Sequence, residues 1–375
     1  MFHPSRRAAL GGFAALTTVA VLPARARAKQ TPDAALDEVF AATPPPALGA
    51  MIVNRDGVEW RGVRGVRRDG QTDPVTLDDR WPLGSNTKAM TAAVWGRFVD
   101  QGRARWGMPL AEAFPDVELD AGWAGLTVDD LMHHRAGLLD ATVTTREWLT
   151  AARSDPRALP EQRAALAASA LSAPPSGPRG SFAYGNADYI LIGAAIEKIA
   201  GSAWEDAVRA EVFQPLGIQT GGFGAPPDPN AWGHRTVDGV RSPLDPTHPA
   251  ADNPRVVGPA GTIHMTLADY ARFLAVFLND GAGWLSPTSL RVLTTPAAGE
   301  GMAYAGGWGV REQPWGGAAG AGPVLGHEGS NGRWHCLAAV APGRGFAVVT
   351  VANDGSTGRG ACQQLAQRLT AARAG

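Results

Sequence analysis

WPLGSNTKAM, Trp81 to Met90, sets Lys88 three residues after Ser85, at the head of a strong helical pattern that runs from Asn86 to Arg103. Lysine is scarce in this chain. Of 34 basic residues only Lys29, Lys88 and Lys198 are lysines, and arginine supplies the rest. Residues i and i+3 share one face of a helix, so this hydroxyl and this amine can meet. The first turn of a helix also offers unpaired N–H groups and the positive end of the dipole, which favour a developing oxyanion. A serine hydroxyl is a weak nucleophile until a base takes its proton. Lysine can be that base when burial and neighbours lower its pKa, whereas a guanidinium does not deprotonate in proteins. An N-cap serine beside a solvated lysine would give the same spacing, so the pair needs support from elsewhere in the chain.

Two further clusters supply it. FAYGNADY, Phe182 to Tyr189, holds one of only four tyrosines in a Tyr-Gly-Asn turn that opens a helix. A phenol beside an ammonium loses its proton more easily and can act as acid or base. Asn186 can hold a substrate carbonyl or orient the lysine; alone, the cluster reads equally as a capping asparagine with a packed tyrosine. GHEGSNGRW, Gly326 to Trp334, surrounds His327 with small residues just before a strand. Glycines allow close backbone approach, and a histidine there can donate to a reacting group or exchange protons with it. The plain alternative is a turn with an exposed histidine and glutamate.

Outward from these clusters, the pattern is strands at both chain ends and helices between. Thr31 to Thr43 is helical, and Ala47 to Arg68 reads as two strands joined at Asn54-Arg55-Asp56-Gly57. Asn186 to Ile199, Ser202 to Phe213, Thr266 to Leu278 and Gln363 to Arg373 are helices. Gly221 to Pro259 is rich in glycine and proline without periodicity, as a loop that shapes a site would be. Arg333 to Pro342 and Phe346 to Asp354 form a hairpin around Gly343-Arg344-Gly345. The economical arrangement is α/β (α+β): one central antiparallel sheet built from both chain ends and flanked by helices, with an all-helical region inserted over about residues 110–255.

The chain has 375 residues and a formal net charge of −1, which gives no reason to expect nucleic acid as partner. Arg6 and Arg7 precede an apolar run from Ala8 to Leu22, and Ala26-Arg27-Ala28 follows as a small-x-small site. Residues 1–28 therefore read as a twin-arginine-like signal peptide, too short and glycine-containing for a membrane span. A bacterial periplasmic or secreted protein is expected, with residues 29–375 forming a single domain and no membrane association after leader removal. Cys336 and Cys362 can pair outside the cytoplasm or serve as buried apolar fillers. No H-E-x-x-H, paired C-x-x-C or phosphate-cradling glycine loop is present, so no metal and no cofactor is expected.

Ser85-x-x-Lys88, Tyr184-x-Asn186 and His327-x-Gly329, in that order, resemble the serine hydrolases of the class C β-lactamase, penicillin-binding D-peptidase and esterase superfamily. LTVDDLMHHRAGL, Leu126 to Leu138, and PAGTIHMTLADYARF, Pro259 to Phe273, are similar to further segments of it. The resemblance covers most of the chain beyond the leader and implies a β-lactamase/transpeptidase-like fold. It implies that Ser85 attacks a carbonyl and forms an acyl-enzyme, that Lys88 and Tyr184 share the acid–base work, and that Asn186 binds the acyl-side amide. The N–H groups of Ser85 and Ser330 would make the oxyanion hole, with His327, Glu328 and Gly329 lining the substrate.

One departure matters. Lactamases of this group carry Lys-Thr-Gly where this chain has His327-Glu328-Gly329, and histidine there resembles the D-peptidase and esterase branches. A glutamate facing the substrate would repel a free carboxylate by several kcal/mol at about 4 Å. The expectation is hydrolysis of neutral small esters, amides or peptides, with weak turnover of penicillins. Two other readings stay open: a true β-lactamase, and a penicillin- or peptidoglycan-binding module without turnover. Substrate identity and oligomeric state are not legible.

Overall fold

The computed structural model describes residues 30–374. The leader expected over residues 1–28 lies outside the described residues. After helix α1 (Pro32–Ala42), strands β1 (Ala47–Asn54) and β2 (Gly57–Gly65) form a hairpin. Helix α2 (Thr87–Asp100) follows, then the helical region containing α3 (Leu159–Leu171) and α4 (Ala187–Ala200), then α5 (Leu267–Leu278). The chain closes with β3 (Gly309–Gly317), β4 (Gly320–Ser330), β5 (His335–Ala341), β6 (Phe346–Ala352) and α6 (Gly358–Ala374).

The six strands make one antiparallel sheet in the order β2-β1-β6-β5-β4-β3. The N-terminal hairpin thus docks on the C-terminal strands through β1 and β6, where Leu48 pairs with Ala352 and Asn54 with Phe346. Both faces of these central strands are covered, which is why they read as unbroken apolar runs. Ala47, Met51 and Val53 face the main core under α2 and α5; Leu48, Ala50 and Ile52 face a second core under α1 and α6. The sheet drawn from both chain ends agrees with the expectation from sequence; the inserted region is mainly helical rather than all-helical, since short strands lie within residues 222–244.

Two strands were hidden. His327 does not precede a strand but lies inside β4, and β3 pairs beside it. Gly309, Gly316, Gly317, Gly320, Gly322, Gly326 and Gly329 dilute the β-branched signal that would announce them. The 221–259 segment carries a two-stranded ribbon, Gly233–Val237 with Val240–Leu244, rather than plain loop.

The helical region is held by buried charge. Arg163 of α3 is fully buried and donates to Glu197 near the end of α4 (2.5 Å) and to Glu205 (2.6 Å) in the short helix that follows, Trp204–Val208. Its Nε also donates to Val256 O at 3.0 Å. This one side chain therefore ties α3, α4 and the segment leading to Gly258–Gly261 together, and that last segment feeds the site.

Candidate active site

A three-residue strand, Arg80–Pro82, pairs with Ile263–Thr266 and delivers the chain into a 3-10 turn, Gly84–Asn86, at the head of α2. Gly84 has φ +52°, and a Cβ there would stand 2.5 Å from Ser330 N. A Cβ at Gly329 would stand 2.7 Å from Ser85 N. Only glycines let the turn and the end of β4 approach this closely, and the approach brings the N–H groups of Ser85 and Ser330 to one spot.

Helix α2 is buried on nearly every side, so Lys88 is fully buried as well. Its amine is surrounded by three oxygens: Ser85 Oγ at 3.2 Å, Asn186 Oδ1 at 2.9 Å and Ala260 O at 2.9 Å. Two carbonyl-type acceptors take two N–H groups, and the third contact points at the serine. The same face of α2 is stitched to the 259–263 segment by Thr91 Oγ1 to Pro259 O (2.7 Å) and by Ile263 N to Thr87 Oγ1 (3.1 Å). Lys88 Nζ also lies 4.9 Å from the centre of the Tyr184 ring. Ser85, Lys88, Tyr184 and Asn186, far apart in sequence, are thus one cluster.

Asn186 is aimed by a residue that sequence reasoning missed. Asp140 accepts from the backbone N–H of Asn186 (2.8 Å) and Ala187 (2.9 Å), capping α4, and from Asn186 Nδ2 (3.2 Å). With its amide nitrogen held there, Asn186 must turn its oxygen to Lys88. Asp140 sits two residues beyond LTVDDLMHHRAGL, and no periodicity marks it.

Behind Tyr184 is a second unanticipated group. His134 is fully buried at φ +58° with its ring 4.6 Å from that of Tyr184. Its Nδ1 lies 2.8 Å from Asp188 Oδ2. Burial pushes the Asp188 carboxyl well above its usual range and the His134 imidazole well below, the Lys88 ammonium adding to the latter. Burial thus pushes each member of this hydrogen-bonded pair toward its uncharged form.

His327 is also buried, and burial with the nearby Lys88 charge pushes it down to about 3. Its Nδ1 faces Glu328 O at 2.8 Å and must donate; Nε2 then accepts from Tyr304 Oη at 2.9 Å. Both nitrogens are engaged, so the proton exchange expected of this histidine is not what the arrangement offers.

Glu328 requires a correction. Side chains alternate along a strand, so with His327 facing the site Glu328 faces away. Its carboxylate accepts from Arg359 Nε (2.9 Å) and Gln363 Nε2 (2.7 Å) of α6, on the opposite side of the sheet. It does not line the substrate, and the argument that it repels carboxylates falls. The two cysteines are both free and buried, and burial pushes Cys362 up to about 12.

The serine–lysine pair on a helix head, with a Tyr-x-Asn turn and the end of β4 closing over it, lies in a chain that a family profile, Beta-lactamase, matches over residues 36–373. The chain belongs to the Beta-lactamase family. It is 28% identical over 326 residues to penicillin-binding protein 4 of Amycolatopsis lactamdurans, across 82% of this chain and 80% of that one. It is 28% identical over 335 residues to an unguisins hydrolase of Aspergillus campestris, covering 82% of this chain but 58% of that relative. Among solved structures it is similar to a D-stereospecific amidohydrolase of a Streptomyces species, with TM-score 0.69 and 23% identity over 88% of this chain and 96% of that one. At that identity the structural likeness speaks for the fold.

Proposed function

We propose that this protein is an exported serine hydrolase that cleaves small esters, amides or peptides through an acyl-enzyme on Ser85, of esterase or D-peptidase type. The observation that carries the proposal is the contact between Lys88 Nζ and Ser85 Oγ at 3.2 Å, made by an amine whose other two partners are neutral oxygens. A binding module has no need of a base against its serine.

In this reading the Ser85 hydroxyl gives its proton to the Lys88–Tyr184 pair, which acts as one unit, while its oxygen attacks the carbonyl carbon. Negative charge then gathers on the carbonyl oxygen between the N–H groups of Ser85 and Ser330, at the positive end of α2. The proton passes to the leaving group as the tetrahedral species collapses. Water, activated by the same pair, resolves the ester on Ser85. Asn186, aimed by Asp140, holds Lys88 and meets the acyl-side amide of a peptide-like substrate. Family membership and the named activities of the hydrolase and amidohydrolase relatives support this chemistry, and the twin-arginine-like leader supports export. His327, neutral where lactamases of this group carry lysine, supports ester or amide turnover over lactam turnover.

The test pairs a neutral short-chain aryl ester with a chromogenic cephalosporin, alongside Ser85→Ala, with intact-mass detection of the acyl adduct. The expected result is fast ester cleavage, slow lactam cleavage and loss of both in the variant. Ester cleavage that survives Ser85→Ala would sink the proposal, and an adduct that never decays would make the protein a binder.

A further inference from the structure

We propose that Arg153, Arg235 and Arg333 form an anion subsite beside Ser85, selecting substrates whose acyl portion carries a distal carboxylate or similar negative group. The inference rests on the serine-hydrolase reading above and names its substrate class.

Three separate segments bring these guanidinium groups to one place. Arg153, from the helical region, donates through Nη1 to Asp252 O at 2.7 Å, and Arg333 donates through Nε to Ala250 O at 3.3 Å. Two arginines therefore hold the same short loop. Arg235 comes from the strand Gly233–Val237, whose Gly233 faces Arg333: a Cβ at 233 would lie 2.8 Å from Arg333 Cβ. Side chains two apart on a strand share a face, so Arg235 lies on the side that meets Arg333. After burial, the charges of Arg235 and Arg153 are what lower the Arg333 pKa, as cations in one neighbourhood would.

No carboxylate pairs directly with the cluster, and Asp252 acts on Arg153 only at longer range. Among the described residues no carboxylate comes within 4.0 Å of any of the three. Other guanidinium groups of the chain do meet carboxylates, as at Arg67–Asp79, Arg241–Asp354 and Arg359–Glu328. The acid in this neighbourhood, Asp252, spends Oδ1 on Asn331 Nδ2 (2.6 Å) and on its neighbour's N–H, Asn253 N (2.7 Å).

The position fits an acyl group. Arg333 follows Ser330 by three residues, at most about 11 Å of chain. The loop beneath it reaches the site through Asn253, whose Nδ2 donates to Gly261 O at 3.2 Å. Along β4, His327 lies at the Tyr184 end, with the two rings 6.0 Å apart, while the Asn331–Arg333 turn lies beyond the other end. A leaving group protonated by Tyr184 lies toward His327, so the group retained on Ser85 runs toward the arginines.

The experiment compares two esters with one leaving group and one chain length: the mono-4-nitrophenyl ester of glutaric acid and 4-nitrophenyl pentanoate. The readout is the ratio of their kcat/KM values, so each variant carries its own reference. In the wild-type protein at low salt the anionic ester is expected to win by about tenfold or more, the worth of one charge-assisted contact. Added salt lowers the ratio. Arg333→Gln with Arg235→Gln and Arg153→Gln brings it to about one, and Arg333→Lys restores part of it. A wild-type ratio at or below one, or a ratio unmoved in the triple variant, would overturn the subsite. Calorimetric titration of Ser85→Ala protein with both esters reads binding without turnover. Preferential binding of the anionic ester there, with neither ester cleaved by the wild type, keeps the subsite and fails the hydrolase reading; equal binding fails the subsite.

Discussion

Arg163 and Lys88 are both fully buried cations, yet their surroundings are opposite. Arg163 meets two carboxylates, Glu197 and Glu205, and two backbone carbonyls. Lys88 meets a hydroxyl, a side-chain amide and a backbone carbonyl, with no carboxylate within 4.0 Å among the described residues. Asp140 approaches only as far as the other side of the Asn186 amide, and burial pushes the Asp188 carboxyl well above its usual range. A buried charge matched by opposite charges is locked, because removing either partner leaves the other uncompensated. A buried ammonium held only by neutral dipoles can give up its proton without stranding a counter-ion. The chain uses arginine, which does not titrate, for the first task and one of its rare lysines for the second.

The largest expected effect tests the second half of that contrast. Lys88→Arg keeps a cation but removes the base, and should lower ester kcat/KM by about 10³–10⁴-fold with the fold intact by circular dichroism. Near wild-type activity would mean that the lysine serves only as a fixed charge. Arg163→Met tests the first half. It strands two glutamates and should cost about 3–5 kcal/mol in urea unfolding at pH 7, and a loss below about 1 kcal/mol would show that the triad is not locked.

Asp252 sharpens the comparison as a buried acid that no cation meets directly, Arg153 acting on it only at longer range. Burial raises its carboxyl from 3.8 to about 6, so the fold favours the protonated form. Its support is therefore present at pH values below 3.8 and is lost as pH rises through 6. Asp252→Asn keeps the acceptor for Asn331 and does not titrate. Relative to wild type it should gain about 2–3 kcal/mol between pH 3.5 and pH 7, and a pH-independent difference would contradict the raised carboxyl. Glu328→Thr is expected to do least. It removes a half-exposed ion pair with Arg359 and should cost about 1 kcal/mol or less, with cephalosporin turnover within about twofold of wild type. Strongly improved lactam turnover would return Glu328 to the substrate side.

How much of this was legible depends on how local each feature is. Ser85 and Lys88 were readable because i and i+3 on one helix are neighbours whatever else the chain does. The Tyr184-Gly185-Asn186 turn was readable for the same reason, as the start of α4. Glu328 was misread because its direction depends on whether Gly326 to Ser330 is turn or strand, and the glycines that let β4 approach Gly84 also erase the strand signal. His134 could not be read as part of the site because the rings that bury it, Tyr184, Tyr189 and Tyr304, come from elsewhere in the chain.

The sequence by itself determined the pieces that short-range geometry controls: the serine–lysine pair, the tyrosine–asparagine turn, the strand-forming ends and the helical middle. Tertiary structure alone decided what surrounds each charge. Whether a buried lysine meets a carboxylate or a carbonyl, which face of β4 a glutamate occupies and which arginines go unpaired are set by contacts between residues 35 to 172 positions apart. Electrostatic interactions act through space and depend on the local dielectric, so the chain order records the charges but not their partners.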